Sequence, residues 1–273
     1  MPTATISVFT ANASNMRVFD FTNAIVREPG RSVVDGLRED RSAVPDFEGI
    51  RREHAAYVVA LRDAGLKVDV LPPLEAFPDS VFVEDPALVF PEGAILLRPG
   101  APTRLGEREE MRGALKQHFD RVLELEGDEY ADGGDVLVTP GLVLIGMSAR
   151  TNRVGAQALV KKLAELGRKA TLAATPKTIL HFKTAVSLLA EDTVLATQTM
   201  ADTGIFGGFK IIVTPTGEEG AANALRINDT LLVGDSFPRT IDLLSRAGFP
   251  VVPVRVTETA KLDAGLSCMS LRW

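Results

Sequence analysis

The chain has 273 residues, of which 45% are apolar and 24% charged, a composition typical of folded proteins that work in water. A formal net charge of −6 argues against nucleic acid or an anionic membrane as a partner, and no apolar run is long enough for a spanning helix. A single cysteine excludes an internal disulfide framework. Because the first residues also lack a signal-peptide pattern, we expect a cytoplasmic protein.

The first elements alternate between strand and helix. Apolar runs at residues 6–10 and 21–27 predict strands, and residues 47–64 predict a helix because Ile50, Tyr57, Val58 and Leu61 recur at helical spacing. A strand at residues 67–71 follows and ends at two prolines. We expect His54 in this helix and His118 in the next helix to be exposed to solvent.

From residue 81 onward one pattern repeats: a strand, a tight turn, a second strand, a helix and a third strand. A polar or nucleophilic residue stands at the start of each unit, about 45 residues after the previous one. These residues are Asp85, Asp132, His181, Asn223 and Cys268. Since the chain stops soon after Cys268, the fifth unit would be completed by N-terminal residues, which predicts a closed ring of α/β units. An ordinary α/β sheet with hairpins is the alternative.

In a closed ring, the starts of the five units would face one small cavity. With Glu84 added, this cavity would hold several carboxylates, one proton carrier in His181 and one candidate nucleophile in Cys268. Such a cavity predicts a small cationic substrate. Taken singly, Cys268 could be a buried structural residue, His181 a core residue, and Arg104 and Arg150 surface residues rather than a clamp for a carboxylate.

With these residues together, the chain resembles the dimethylarginine dimethylaminohydrolases of the pentein superfamily. The resemblance is carried in register by stretches at residues 78–85, 98–104, 132–136, 148–152, 180–183, 221–223 and 263–268. It implies one catalytic domain over residues 1–273, folded as a five-bladed α/β propeller. It also implies hydrolysis of methylated arginine to citrulline through a covalent cysteine adduct, with neither metal nor cofactor, and a possible homodimer.

The resemblance also implies residue roles. Cys268 would attack the guanidinium carbon, His181 would protonate the leaving amine and activate water, and Asp132 would be the third catalytic residue. The implied substrate contacts are Asp85 and Glu84 to the guanidinium, Arg104 and Arg150 to the α-carboxylate, Asp79 to the α-amino group, the backbone of Leu37 and Leu262, and the ring of Phe82.

Four other functions are alternatives. An arginine deiminase-like hydrolase or an amidinotransferase would share the cysteine chemistry, and some penteins are non-catalytic binding proteins. A site for a hard cation built from Glu84, Asp85, Asp132 and Asp135 is a weaker alternative.

Overall fold

The computed structural model describes residues 17–273, so the strand predicted at residues 6–10 lies outside the described residues. Within residues 17–273, fifteen strands form five sheets of three strands each. The strands are β1 (Asn23–Arg27), β2 (Lys67–Leu71), β3 (Ala87–Phe90), β4 (Gly93–Leu96), β5 (Val122–Glu124), β6 (Val136–Thr139), β7 (Leu142–Met147), β8 (Ala170–Ala174), β9 (Val186–Ala190), β10 (Thr193–Ala196), β11 (Lys210–Val213), β12 (Leu225–Ile227), β13 (Thr230–Gly234), β14 (Val251–Val254) and β15 (Leu271–Arg272).

Every sheet has the same internal topology. Its central strand pairs antiparallel with one neighbour and parallel with the other, as β4 does with β3 and β5. A helix lies in the connection between the two parallel strands, since a parallel crossover needs a longer link than a hairpin turn. The five helices are α1 (Phe47–Asp63), α2 (Glu107–His118), α3 (Arg153–Glu165), α4 (Gln198–Ala201) and α5 (Pro238–Arg246).

Strand β15 closes the ring. It pairs antiparallel with β1, which in turn pairs in parallel with β2, so the last strand completes the sheet that holds the first described strand. The carbonyl of Trp273 accepts hydrogen bonds from the amides of Thr22 and Asn23 at 2.9 and 2.8 Å, and its ring packs on Phe119 with centroids 4.8 Å apart. The predicted five-bladed α/β propeller is thereby confirmed, and the single-sheet alternative is wrong.

Helix α1 shows how sequence spacing sets burial. The side chain of Asp46 accepts a hydrogen bond from the amide of Gly49 at 2.7 Å and caps the first turn. Ile50, Tyr57 and Leu61 face the core as predicted. The expectation for His54 is wrong: it is only 4% exposed, because it lies one helical turn after Ile50 on the same face. Within residues 17–273, no helix is long and apolar enough to cross a bilayer.

Candidate active site

The starts of the five units lie at short turns of the chain. Three of them hold the anchors Asp132, His181 and Asn223, which directly flank the 3₁₀ turns Gly133–Asp135, Phe182–Thr184 and Glu219–Ala222. Cys268 lies inside a fourth turn, Ser267–Met269. A 3₁₀ turn lets the chain enter a strand while its polar residue stays on the inner side of the ring.

His181 and Asp132 form a buried pair. The Nε2 atom of His181 lies 2.9 Å from Oδ2 of Asp132, which is fully buried. Burial lowers the pKa of His181, but the charges of Asp85, Asp132 and Asp135 outweigh burial and raise that pKa to about 9. The imidazole therefore holds its proton at neutral pH and can serve as a general acid.

Asp85 connects this pair to the rest of the cavity. Its Oδ1 atom accepts a hydrogen bond from the amide of Gly134 at 3.0 Å. Gly134 must be glycine here, because an added Cβ would lie 2.9 Å from the ring of His181 and 3.0 Å from Oδ1 of Asp85. Burial raises the pKa of Asp85, but His181 and Arg104 outweigh it, so the pKa falls below its usual value and Asp85 is an anion.

Arg104 contacts protein groups with all three of its guanidinium nitrogens. Nε and Nη2 lie 2.9 and 2.7 Å from the two carboxylate oxygens of Glu107, and Nη1 donates to Oδ2 of Asp85. Nη2 also donates to the carbonyls of Phe82 and Asp79 at 2.9 and 3.1 Å. The structure thus places Arg104 inside a buried ion-pair network, and its contact with the substrate's α-carboxylate stays a prediction.

Arg150 has a more open position. Its side chain is 20% exposed, and Nη1 lies 3.9 Å from Oδ2 of Asp132. The other oxygen of Asp132 accepts a hydrogen bond from the amide of Gly100 at 2.7 Å. Of the two arginines predicted to bind a carboxylate, Arg150 is the one placed at the edge of the cavity.

Cys268 is half-buried and lies among hydrogen-bond donors. Its Sγ atom is 3.5 Å from the amide of Gly265 and 4.0 Å from Nδ2 of Asn223. Burial, followed by the charges of Glu84 and Asp85, raises the pKa of the thiol to about 12. No hydrogen bond joins Sγ to His181 among the described residues. The two residues are connected through the chain at 84–85, because the amide of Glu84 donates to the carbonyl of Cys268 at 3.1 Å and both Asp85 and the ring of His181 lie against Gly134.

Glu84 is bound by basic and polar groups. Its carboxylate is 2.5 Å from Nζ of Lys183 and 3.0 Å from Oγ of Ser267. Its amide donates to the carbonyl of Cys268 at 3.1 Å. Glu84 therefore contacts two consecutive residues of the cysteine turn, Ser267 and Cys268.

The remaining predicted contacts form one side of the cavity. The amide of Leu37 donates to Oδ1 of Asp79 at 2.9 Å. Burial raises the pKa of Asp79, although Arg104 and that amide oppose it. An added Cβ on Gly36 would lie 3.1 Å from both Asp79 and Leu262, so these groups are close neighbours. Phe82 and Leu262 are buried in the same apolar cluster.

A metal ion bound by Asp85, Asp132 and His181 would compete with the guanidinium of Arg104 and with the proton on His181. The nearest ligand atoms of Asp85, Asp132 and His181 all lie within 4.8 Å of one another. Arg104 is already paired with Asp85, and the raised pKa of His181 favours a proton on its ring. The arrangement therefore favours proton transfer over the binding of a divalent cation.

Several residues of the site were not assigned roles from the sequence. Glu107 and Lys183 each pair with a residue of the cavity, and Ser267 and Gly265 contact Glu84 and the thiol. Asn223 was placed in the cavity by the repeat but given no role; its Oδ1 accepts from the amide of Ser267 at 2.9 Å. The one sequence signal for Lys183 was its position two residues after His181.

Comparisons with known proteins agree with this geometry. The arginine deiminase family model matches residues 70–216. The N(G),N(G)-dimethylarginine dimethylaminohydrolase of Pseudomonas aeruginosa is 36% identical over 93% of this chain and 100% of its own length; that of Streptomyces coelicolor is 32% identical over 91% of this chain and 96% of its own length. A crystal structure of the Pseudomonas aeruginosa protein, a cysteine-to-serine mutant complexed with citrulline, superposes with a TM-score of 0.90, covering 93% of this chain and 100% of that chain at 36% identity.

Proposed function

Because this chain belongs to the dimethylarginine dimethylaminohydrolase family, we propose that it hydrolyses N-omega-methylated arginines to citrulline and a methylamine. One observation carries the proposal. The chain at 84–85 joins the half-buried thiol of Cys268 to the His181–Asp132 pair: the amide of Glu84 donates to the carbonyl of Cys268 at 3.1 Å, and Asp85 lies beside the ring of His181 at Gly134. A relative with this fold has been solved with citrulline. An acidic cavity with a nucleophile and a proton donor suits a guanidinium substrate.

The cation itself would activate the nucleophile. Glu84 and Asp85 raise the pKa of the Cys268 thiol because a thiolate beside two carboxylates is repelled. A bound guanidinium would place a positive charge between the sulfur and these carboxylates, which lowers the pKa of the thiol at the moment that attack is needed. Attack on other molecules is suppressed because the thiol stays protonated.

The reaction then proceeds in two halves. As the bound guanidinium lowers its pKa, the thiol of Cys268 releases its proton to solvent. Sγ then forms a bond to the guanidinium carbon, and the bond to the methylated nitrogen breaks as His181 gives its proton to the departing amine, which leaves an S-alkylthiouronium. His181 next takes one proton from water as the water oxygen bonds to the same carbon, and the C–S bond breaks as the second proton of the water passes to sulfur, which releases citrulline and the thiol.

The site residues divide between these steps. We propose that Asp132 orients His181, and that Asp85 and Glu84 stabilise the cation at the reacting carbon. Arg150 at the edge of the cavity and Asp79 beside Leu37 would bind the α-carboxylate and the α-amino group, with Arg104 joining Arg150 if its guanidinium leaves Asp85. Phe82 and Leu262 would supply the apolar wall.

An assay with a panel of guanidino compounds tests the proposal. We expect citrulline from asymmetric dimethylarginine and monomethylarginine, and its loss in Cys268→Ser and His181→Ala. His118→Ala is the matched control, because His118 makes the same kind of bond to Asp69, at 2.9 Å, on the surface. Faster turnover of unmethylated arginine would establish a deiminase-like activity instead. Transfer of the amidino group to glycine or lysine would establish an amidinotransferase, and no turnover of any compound would indicate a binding protein.

Two properties of the whole protein belong to the same proposal. We propose a cytoplasmic location, supported by the single cysteine, and a homodimer. Light scattering during size-exclusion chromatography would decide between a homodimer and a monomer, and fractionation of cells that express the protein would test the location.

A further inference from the structure

Lys183 reaches from one unit of the ring to Glu84, at the start of another unit. It lies in the turn Phe182–Thr184, two residues after His181, and its side chain is 14% exposed. Its Nζ atom is 2.5 Å from Oε1 of Glu84. We propose that Lys183 is a positioning residue for the nucleophile: its ammonium neutralises Glu84 and holds that carboxylate against the turn of Cys268.

Glu84 is the link between Lys183 and the cysteine. Its Oε2 atom accepts a hydrogen bond from Oγ of Ser267 at 3.0 Å, and its amide donates to the carbonyl of Cys268 at 3.1 Å. Its side chain is only 3% exposed, so water cannot screen its charge effectively. A buried carboxylate that lacks a cationic partner is strongly destabilising, and here it would also repel a thiolate.

Arg272 is poorly placed to take over this task. Its Nη2 atom is 3.5 Å from Glu84. Its Nη1 atom donates to the carbonyl and the hydroxyl of Ser270 at 2.8 and 2.5 Å and to the carbonyl of Ser267 at 3.3 Å. Arg272 therefore fixes the C-terminal backbone, and Lys183 is the cation in direct contact with Glu84.

The charges around the thiol show what Lys183 changes. Glu84 and Asp85 raise the pKa of Cys268, whereas Lys183 and the amide of Gly265 lower it. Removing the ammonium would remove one of the two groups that oppose the carboxylates. The titratable and charged groups around Cys268 include Tyr57, Glu84, Asp85, Lys183 and Arg272, with His181 beside Asp85.

Alkylation of the thiol measures this effect directly. Cys268 is the only cysteine, so the reaction of iodoacetamide with the protein reports on one site. The rate is measured between pH 7 and about 10, below the thiol pKa of about 12. We expect it to be about tenfold lower at each pH in Lys183→Met, as for a thiol whose pKa rises by about one unit when an opposite charge is lost nearby. Lys183→Arg keeps the charge and should stay near the wild-type profile.

Two outcomes would overturn the inference. A Lys183→Met profile that superimposes on the wild type shows that the ammonium does not act on the thiol. An equal shift in Lys183→Arg shows that packing, rather than charge, is responsible.

A double variant guards against misfolding of Lys183→Met. Lys183→Met with Glu84→Gln removes both charges of the pair, so we expect its rate of alkylation to return to the wild-type rate or to exceed it. A rate that stays low in the double variant contradicts the inference. All of these measurements are made without substrate, so their outcome does not depend on the proposed hydrolysis. The panel of guanidino compounds tests that hydrolysis separately.

Discussion

Nε2 of His181 lies 2.9 Å from Oδ2 of Asp132, and the carboxylate has no exposed surface. The other carboxylate oxygen of Asp132 accepts a hydrogen bond from the amide of Gly100. The backbone amide of Asp132 donates to Oγ1 of Thr151 at 3.1 Å. The ring of His181 is consequently held by a carboxylate that is itself fixed from two directions. Asp132 thus orients the ring, and together with Asp85 and Asp135 it raises the pKa of His181.

Asp132→Asn should change the orientation and the pKa of His181 without disturbing the fold. Loss of the negative charge should lower the pKa of His181 from about 9 and reduce citrulline formation by about 10²–10⁴-fold, because a smaller fraction of the imidazole then carries the proton that the leaving amine needs. The alkaline limb of the pH–rate profile should move to lower pH. The matched control Asp69→Asn removes a similar bond to His118 at the surface and should leave activity unchanged. An unshifted alkaline limb in Asp132→Asn would contradict this role.

Helix α1 carries a histidine that should weaken the fold in acid. Burial lowers the pKa of His54 to about 4, and its Nε2 atom has no hydrogen-bond partner. The neutral ring is favoured in the folded state, so its contribution to stability is present above the unfolded pKa near 6.5 and is lost as pH falls towards 4. At pH 5, His54→Leu should therefore gain about 2 kcal/mol in free energy of unfolding relative to its effect at pH 8. Urea unfolding at both pH values measures this, with His118→Leu as the surface control that should not stabilise at pH 5.

The hydroxyl of Tyr57 ties helix α1 to both sides of the cysteine turn. It donates to the carbonyl of Leu266 at 2.8 Å and lies 2.6 Å from Oγ of Ser270. Tyr57→Phe should lower the free energy of unfolding by about 1–3 kcal/mol, because buried polar groups lose a partner. Turnover should also fall, since these two residues flank Cys268. Urea unfolding and the citrulline assay test both effects against Tyr130→Phe, and a Tyr57→Phe protein with wild-type stability and turnover would refute this role.

The buried pair of Arg104 and Glu107 should matter more than a surface pair on the same helix. Burial raises the pKa of Glu107, and Arg104 opposes that rise. Glu107→Gln should reduce the free energy of unfolding by about 3 kcal/mol, because the guanidinium loses one of its two buried counter-charges. Glu109→Gln removes an exposed partner of Arg112 and should change stability by less than about 1 kcal/mol. Equal effects of the two substitutions in urea unfolding would show that burial does not strengthen the inner pair.

The sequence predicted the ring better than the contacts inside it. The regular spacing of Asp85, Asp132, His181, Asn223 and Cys268 was enough to predict that the C-terminal segment completes the first sheet, and the pairing of β15 with β1 confirms it. The burial of His54 could also have been predicted from the sequence, because His54 lies four residues after Ile50 on a helix whose core face was already identified.

The sequence could not predict which charged residues pair with each other, for a physical reason. Glu84 and Lys183 are far apart in sequence, and nothing in local spacing distinguishes this pair from any other acid and base. The same holds for Arg104, whose contact with Asp85 joins two segments that are 19 residues apart in sequence. The residue roles taken from the resemblance stay predictions until the substitutions are made.

The pairing of β15 with β1 has a kinetic consequence. These two strands join residues from opposite ends of the described chain, and contacts of such long sequence separation form late because the intervening loop must first be closed. The turn that holds Cys268 lies directly before β15. During refolding from denaturant, we therefore expect the helical circular dichroism signal to recover before the thiol regains its native reactivity.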